Sequence, residues 1–253
     1  MISQTNMAEV KAIAREAGHA IMKIYTTDDF GVAFKDDDSP LTRADMAAHE
    51  LIVAGLEKLK LGYPILSEES AEIDWDTRKS WDTYWLVDPL DGTKEFIKQN
   101  GEFTVNIALI HEGEPVFGVV YAPALSDLYW GCSLPQQRQA QCNDVDIKVV
   151  KPAKPLRVVG SRSHAAPELQ AYLDGLNTSY DMVPMGSSLK ICLVAAGKAD
   201  LYPRLGPTSE WDTAAAHAVA LGAGAQVLEF ESGQPLRYNQ KASLLNPHFI
   251  VKA

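Results

Sequence analysis

The strongest constraint on the fold is a predicted β-hairpin at residues 103–123, FTVNIALIHEGEPVFGVVYAP. Apolar residues alternate on both sides of Glu112-Gly113-Glu114, and two such period-two runs around a turn are typical of paired antiparallel strands. A short strand is predicted at residues 127–130, and an apolar strand at residues 84–87 precedes the hairpin. Residues 84–131 are therefore predicted to form mostly antiparallel sheet.

Two helices are predicted ahead of this sheet. The first follows from apolar residues at three- and four-residue steps, namely Val10, Ile13, Ala14, Ala17, Ile21 and Ile24. The second is predicted to begin at Thr42, where Thr42 and Asp45 resemble a capping box with aspartate in place of the usual glutamate. Its predicted apolar stripe consists of Ala44, Ala48, Leu51, Ile52, Gly55 and Leu59. Asp45 thus has a structural explanation as a helix cap.

The pattern changes after a polar segment at residues 136–155, which is the best candidate for a subdomain boundary. Beyond it, predicted strands and helices alternate, which favours an α/β arrangement. The strands are LRVVG, ADLYP and AQVLEF, and the helices are PELQAYLDGL, SSLKICLVAAG and EWDTAAAHAVALGAGA. We therefore expect a single domain over residues 1–253, with an α+β half at residues 1–140 and an α/β half at residues 155–253.

Composition narrows the classes of partner. With 253 residues, of which 46% are hydrophobic, the chain can bury a large core. A net charge of −10 and an isoelectric point near 5.1 argue against nucleic-acid polymers, whose phosphates require basic patches. Three cysteines without C-x-x-C spacing indicate a reducing compartment. No stretch approaches transmembrane length and no apolar signal segment is present, so we expect a cytoplasmic protein; peripheral attachment to the cytoplasmic face of the inner membrane stays open.

Acidic residues mark the predicted chemistry. Asp88 and Pro89 end the apolar strand YWLV, and Asp91 follows with no basic residue before Lys94. Two carboxylates in this position repel each other unless a cation lies between them. The alternative is an ordinary aspartate-rich β-turn in which Gly92 supplies a positive φ.

Further carboxylates lie at comparable positions. Glu68 and Glu69 follow the apolar strand YPILS, and Asp212 lies in the first turn of a helix that is apolar on nearly every side. Asp212 has its own alternative explanation, which is stabilisation by the helix N-terminus. Oxygen ligands without a histidine or cysteine cluster favour Mg²⁺ over Zn²⁺. Two such ions could clamp a phosphate and acidify water, with Gly92 and Thr93 presenting donors to a phosphoryl oxygen.

One rival phosphatase chemistry is excluded by a single residue. Phosphatases of the haloacid dehalogenase type use Asp-x-Asp-x-Thr, in which the first aspartate is a covalent nucleophile. Placing that motif on Asp91 and Thr93 requires an aspartate at position 89, which is a proline. A covalent aspartyl-phosphate is therefore excluded, and direct attack by water remains.

Three motifs together carry a family resemblance. DPLDGT, preceded by SEES and followed by EWDTAAAHAVALGAGA, resembles the lithium-sensitive, magnesium-dependent phosphatase superfamily of inositol monophosphatase over nearly the whole chain. Within it, YWLVDPLDGTKEFIKQNGEFTVNIALI, GSRSH, GSSLKICLVAAGKADLYPRLGPTSEWDTAAAHA and LLNPHF are most similar to the 3′(2′),5′-bisphosphate nucleotidases. The resemblance implies an α/β (α+β) fold, a layered α-β-α-β-α sandwich. It also implies removal of the 3′-phosphate from adenosine 3′,5′-bisphosphate, giving AMP, or from related sulfated nucleotides, in support of sulfur assimilation and nucleotide recycling.

The resemblance also implies metal ligands. The first Mg²⁺ would be held by Glu68, Asp88 and the backbone carbonyl of Leu90. The second would be held by Asp88, Asp91 and Asp212, and Mn²⁺ could substitute at both sites. Most of these ligands lie in the first half of the chain, whereas Asp212 and the nucleotide contacts lie in the second.

Further roles are implied for groups around the metals. Thr93, hydrogen-bonded to Asp45, would orient and help deprotonate the attacking water. Glu69 would support the ligands from behind or contact a third metal ion. Substrate contacts are implied at Gly92, Thr93, Ser161, His164, Gly186, Lys190 and Asp212. MGSSLK is predicted to open a helix, so its N-terminal amides and Lys190 could receive the second phosphate.

Two alternatives stay open at this point. One is a sugar phosphatase of the inositol monophosphatase type, which would share the metal site but not a nucleotide pocket. The other is a non-catalytic nucleotide or metal sensor that retains the fold. The sequence also leaves open the preferred bisphosphate nucleotide, the number of bound metal ions and the choice between monomer and homodimer.

Overall fold

The computed structural model describes residues 2–27, 30–34, 40–160 and 167–253. The helices of these residues are α1 (Gln4–Tyr25), α2 (Arg43–Lys58), α3 (Trp75–Arg78), α4 (Thr93–Ile97), α5 (Pro167–Asp174), α6 (Leu189–Ala195) and α7 (Glu210–Gly222), with a 3-10 turn at Glu68–Ser70. The strands are β1 (Ala33–Phe34), β2 (Pro40–Leu41), β3 (Ile65–Ser67), β4 (Thr83–Asp91), β5 (Thr104–His111), β6 (Glu114–Ala122), β7 (Asp127–Cys132), β8 (Gln139–Cys142), β9 (Val145–Asp146), β10 (Leu156–Gly160), β11 (Tyr180–Pro184), β12 (Leu201–Arg204), β13 (Gln226–Glu229) and β14 (Phe249–Lys252). None of these helices is both long and apolar enough to cross a membrane.

The larger sheet has seven strands in the order β3-β4-β5-β6-β7-β8-β9. Strand β3 is parallel to β4, and every other neighbouring pair is antiparallel. The predicted hairpin at residues 103–123 is formed by β5 and β6, whose register pairs Ile107 with Val119. The prediction of a mostly antiparallel sheet is confirmed.

The smaller sheet has five strands in the order β11-β10-β12-β14-β13. Strand β10 is parallel to β11 and β12, and β14 is antiparallel to β12 and β13. The helices α5, α6 and α7 lie between these strands in the sequence. The predicted alternation of strands and helices in this part of the chain is confirmed.

Helices and sheets alternate in five layers. Helices α1 and α2 pack on one face of the larger sheet, where Val10 and Ala48 share a core with Val87. Helices α6 and α7 fill the space between the two sheets and contribute to a second core. Helix α5 covers the outer face of the smaller sheet, where Leu173 contacts Val158. The structure is the predicted α-β-α-β-α sandwich.

Helix α7 lies unusually close to the larger sheet because glycines face it. A Cβ atom at Gly118 in β6 would overlap the carbonyl oxygen of Ala215, and one at Gly131 in β7 would lie 2.5 Å from the Cα of Val219. Contacts at such short range leave little freedom to shift the helix. They therefore fix the N-terminus of α7 relative to the end of β4.

The predicted apolar stripe of α2 is wrong at one position. The side chain of Leu51 is 40% exposed, whereas Leu56 is buried. The buried face follows four-residue steps through Ala44, Ala48, Ile52 and Leu56. Leu51 lies about 100° away from this line on the helix surface and faces solvent.

The predicted boundary segment at residues 136–155 is partly sheet. Strands β8 and β9 lie within it and extend the larger sheet past residue 140. Their polar composition reflects their place at the exposed edge, where Val145 is 67% exposed. The division into halves at residues 1–140 and 155–253 stays a prediction, and its first boundary falls inside β8.

Candidate active site

Three carboxylates converge where β4 ends and α7 begins. Asp88 and Asp91 lie in the last four residues of strand β4, and Asp212 lies in the first turn of helix α7. One oxygen of each carboxylate lies within 4.8 Å of the others. Asp88 is buried, while Asp91 and Asp212 are half-buried. Segments more than 120 residues apart in the sequence thus bring three acidic groups together.

The pKa values of these groups show that the cluster is electrostatically unfavourable when it is ionised. Burial, followed by the charges of Glu68 and Asp91, raises the pKa of Asp88 well above its ordinary value. Loss of hydration, followed by the charge of Asp212, raises the pKa of Asp91 to about 7. A divalent cation would neutralise this repulsion, and an all-oxygen donor set suits hard cations such as Mg²⁺. The residues present therefore fit a divalent metal ion.

Glu68 lies next to Asp88, and Glu69 follows Glu68 in the chain. Both belong to the 3-10 turn that follows β3, and both are half-buried. A hydrogen bond between the carboxyl groups of Glu68 and Asp88 contributes to the raised pKa of Asp88. Glu68 and Glu69 together line a separate cavity of about 710 Å³, which Met46 also borders.

Leu90 forms the turn between the two aspartates of β4. Its N–H donates to Oδ1 of Asp88 at 3.0 Å, and its carbonyl oxygen lies 3.3 Å from the hydroxyl oxygen of Thr93. Gly92 follows with φ = 91°, a left-handed conformation that glycine adopts without steric strain. This turn presents the Leu90 carbonyl and the Thr93 hydroxyl next to the carboxylate cluster.

Asp45 serves as a helix cap and as the hydrogen-bond partner of Thr93. Its Oδ2 accepts from the N–H of Thr42 at 2.7 Å and from the Thr42 hydroxyl at 2.5 Å. Its Oδ1 accepts from the Thr93 hydroxyl at 3.3 Å. Burial is the main cause that raises the pKa of Asp45. The capping box and the contact with Thr93 thus coexist in one buried carboxylate.

Asp212 likewise has two sets of contacts. Its Oδ2 accepts from the Thr208 hydroxyl at 2.7 Å and from the N–H of Ser209 at 2.8 Å. Burial nevertheless raises the pKa of Asp212. Capping of α7 fixes the position of the carboxyl group while leaving it within the carboxylate cluster.

A hydrogen-bond network that the sequence analysis missed holds Asp91. Its Oδ2 accepts from the backbone N–H of Ser188 at 2.5 Å and lies 3.5 Å from the Thr104 hydroxyl. The hydroxyls of Ser188 and Thr104 are 2.8 Å apart, and Ser188 also donates to Oδ1 of Asn106 at 2.8 Å. Thr104 and Asn106 alternate along β5 opposite Asp91 and Asp88. In the sequence, this network is indicated only by Thr104 and Asn106, two polar residues at alternate positions of a mostly apolar strand.

Two backbone amides at the start of α6, in the segment predicted to contact a phosphate, bond to carboxylates of the protein. The N–H of Ser188 is donated to Asp91, and the N–H of Gly186 is donated to Oε2 of Glu102 at 2.8 Å. Gly186 is buried, and its close contact with Glu102 leaves no room for a Cβ atom. Both amides are already bonded within the protein, and a contact between this segment and a phosphate stays a prediction.

Lys190 lines a cavity of about 320 Å³ next to the carboxylate cluster. Asp91, Gly92 and Asp212 line the same cavity. Burial lowers the pKa of Lys190, although the charge of Asp91 acts in the opposite direction. Ser161 and His164, the other predicted nucleotide contacts, lie outside the described residues.

Comparison with known sequences gives consistent matches over nearly the full chain. Residues 3–251 match the inositol monophosphatase family. The chain is 51% identical to the 3′(2′),5′-bisphosphate nucleotidase CysQ of Shigella flexneri, over 96% of this chain and 98% of that relative. The protein of the same name from Escherichia coli (strain K12) matches with the same identity and coverage. The one from Haemophilus influenzae is 35% identical over 96% of this chain and 91% of its own length.

Solved structures have the same architecture. The structure of CysQ from Bacteroides thetaiotaomicron, described as a bacterial member of the inositol monophosphatase family, has a TM-score of 0.87 at 44% identity. It covers 99% of this chain and 97% of that chain. The extragenic suppressor protein suhB from Bartonella henselae has a TM-score of 0.79 at 25% identity, covering 98% of this chain and 94% of its own.

Proposed function

The chain belongs to the inositol monophosphatase family, and on this basis we propose that it is a 3′(2′),5′-bisphosphate nucleotidase. Its reaction is the hydrolysis of the 3′-phosphate of adenosine 3′,5′-bisphosphate to AMP and inorganic phosphate, in support of sulfur assimilation. The observation that carries the proposal is the convergence of three carboxylates within 4.8 Å beside a cavity lined by lysine and arginine. It occurs in a chain that is 51% identical to named bisphosphate nucleotidases.

Mg²⁺ is the cofactor that we assign, with Mn²⁺ as a substitute. Glu68, Asp88 and the Leu90 carbonyl would hold one ion, and Asp88 would share a second with Asp91 and Asp212. Carboxylate and carbonyl oxygens are the ligands that Mg²⁺ prefers. The mutual repulsion that raises the pKa values of Asp88 and Asp91 supports this assignment.

The proposed mechanism is direct attack by water on phosphorus. Bound divalent cations would supply positive charge that holds the phosphate and makes a water molecule more acidic. Because the Thr93 hydroxyl donates to Asp45, the lone pairs of Thr93 Oγ1 are available to accept a proton from water. Burial raises the pKa of Asp45, which makes this carboxylate a stronger base than an exposed aspartate. The water oxygen bonds to phosphorus while the bond to the 3′-oxygen breaks, and that oxygen takes up a proton from solvent water as it leaves.

Replacement of Thr93 by valine is expected to lower kcat about 100-fold with little change in KM. Valine has the shape of threonine but cannot donate to Asp45, so the water loses its proton acceptor. Thr93→Ser should retain most of the activity because it keeps the hydroxyl. Steady-state kinetics at saturating Mg²⁺ measure the effect, and the exposed Thr178→Val is the matched control. Near-normal turnover of Thr93→Val would remove this residue from the mechanism.

The proposed substrate is tested by comparing phosphate release from two compounds at concentrations well below KM. We expect adenosine 3′,5′-bisphosphate to react about 100 times faster than inositol 1-phosphate, because only the former supplies a second phosphate and a base to the cavity. A chelator should abolish the reaction, and Li⁺ should inhibit it. Faster phosphate release from inositol 1-phosphate would show that the protein is a sugar phosphatase and that the nucleotide is not its substrate. Metal-dependent binding of the nucleotide without phosphate release would instead indicate a sensor.

We also propose a cytoplasmic location. Cys132, Cys142 and Cys192 are all free thiols, as is usual in a reducing compartment. The net charge of −10 is consistent with a small-molecule substrate rather than a nucleic-acid polymer.

A further inference from the structure

The cavity beside the carboxylate cluster is lined by more cationic than acidic side chains. Among the described residues that line it, four side chains are cationic and three are carboxylates. The cationic residues are Lys94, Lys98, Lys190 and Arg204, and the acidic ones are Asp91, Glu95 and Asp212. Under the proposed function, Asp91 and Asp212 bind a divalent cation. Once they do so, the cavity as a whole is strongly positive, which favours an anion that carries more charge than one phosphate.

Two of the four cations are already coupled to acidic groups of the site. The charges of Arg204 and Lys190 both lower the pKa of Asp212, against the larger effect of burial. Burial lowers the pKa of Lys190, and the negative charges of Asp91 and Glu95 both act to raise it. The positive charges of Lys190 and Arg204 thus partly offset the negative charges of the carboxylates that line the cavity.

Lys94 and Lys98 are placed differently. Both side chains are exposed at the rim of the cavity. Within the described part of the chain, neither lysine forms an ion pair with a carboxylate. An ammonium group at a cavity rim without a carboxylate partner is available to an anionic ligand.

Lys94 lies in helix α4, and Lys98 is the C-terminal cap of that helix. Phe96, midway between them, is buried and contacts Tyr25, Phe30 and Phe103 at ring-centroid distances of 5.2, 5.1 and 5.2 Å. Residues two positions away from Phe96 point to the opposite side of a helix, and residues four apart lie next to each other on one face. The aromatic cluster therefore fixes Lys94 and Lys98 side by side toward the cavity.

We propose that Lys94 and Lys98 bind the phosphate of the substrate that is not cleaved. The inference rests on the proposed function, because it takes the cleaved phosphate to lie at the carboxylate cluster. A phosphate monoester carries close to two negative charges at neutral pH, which matches two adjacent ammonium groups. The cavity volume of about 320 Å³ lies within the range of small-molecule sites. The two lysines are thus specificity residues that distinguish a nucleoside bisphosphate from a monophosphate.

The test compares adenosine 3′,5′-bisphosphate with adenosine 3′-monophosphate, which lacks the second phosphate. For the bisphosphate, Lys94→Gln and Lys98→Gln are each expected to lower kcat/KM about fivefold and the double variant about twentyfold, mainly through KM. The loss with the monophosphate should be much smaller, so the ratio of the two kcat/KM values should fall about tenfold in the double variant. Lys58→Gln, on the exposed end of α2, is the matched control and should leave the ratio unchanged.

The outcomes separate this inference from the proposed function. A wild-type enzyme that prefers the bisphosphate, together with a double variant that keeps the same ratio, would overturn the lysine subsite alone. Equal losses on both substrates would also overturn it, because they would indicate a general effect on the site. A wild-type protein that cleaves neither nucleotide would overturn the proposed function and the subsite together. Thermal unfolding of each variant checks that the fold is retained.

Discussion

Asp91→Asn is expected to lower kcat by about 1,000-fold or more while leaving the fold intact. The substitution removes one negative charge from the three-carboxylate cluster, so the cation that we propose to lie between Asp88, Asp91 and Asp212 would lose a ligand. In the wild type, the N–H of Ser188 donates to Oδ2 of Asp91 at 2.5 Å. The amide oxygen of asparagine can accept the same hydrogen bond. The hydrogen-bond network around the site should therefore survive.

The substitution should also separate metal binding from folding. In the wild type, Mg²⁺ is expected to stabilise the folded state, because under the proposed function it binds the converged carboxylates and not the unfolded chain. In Asp91→Asn, the increase in Tm on addition of Mg²⁺ should be largely lost. The matched control is Asp76→Asn, whose wild-type side chain is exposed and ion-paired with Lys79; it should keep both the activity and the response to Mg²⁺. Near-normal turnover of Asp91→Asn in millimolar Mg²⁺ would make the two-metal assignment wrong.

Local patterns were sufficient to predict most elements of the fold. The continuous apolar run in α7 predicts a buried helix, and residues 213–220 are all buried in the structure. The alternation in β5 and β6 predicts the central hairpin of the larger sheet. Strands β8 and β9 were missed because an edge strand faces solvent and shows no apolar period. Leu51 was misplaced because an apolar residue near a helix stripe need not face the core.

The acidic residues of the site could be found because each follows the end of a strand or opens a helix. The network that holds Asp91 could not, because it depends on tertiary contacts. Thr104 and Ser188 lie 13 and 97 residues from Asp91, and only the register of β4 with β5 and the position of α6 bring them together. The same contacts explain why the amide of Ser188 donates to the carboxylate of Asp91.

The metal-free protein is expected to lose stability as the pH rises from about 4 to about 7. Loss of hydration, followed by the charge of Asp212, raises the pKa of Asp91 from 3.8 to about 7. Between these two values the folded protein keeps a proton on Asp91 that the unfolded chain has released, so a rise in pH favours unfolding. Above pH 7 both states are ionised at Asp91, and the destabilisation reaches its full extent.

Other groups titrate as well, but a comparison with Asp91→Asn isolates the cluster. Burial raises the pKa of Glu210 to about 7, yet Glu210 is hydrogen-bonded to the backbone of Asn239 and not to the cluster. Burial opposes ionisation of Asp200, but hydrogen bonds from Arg157 lower its pKa on balance, so its contribution is lost only below pH 4. Both contributions are common to the wild type and the variant and cancel in the difference.

Urea unfolding at several pH values measures this difference. Metal-free Asp91→Asn should exceed the wild type in free energy of unfolding, and this excess should be clearly larger at pH 8 than at pH 4.5. Mg²⁺ should stabilise the wild type more at pH 8 than at pH 5, because protons and the cation compete for the same oxygens. Glu210→Gln, which lies outside the cluster, should keep this response to Mg²⁺. A difference that does not change with pH, or equal stabilisation by Mg²⁺ at both pH values, would mean that the carboxylates do not act as one cation-binding group.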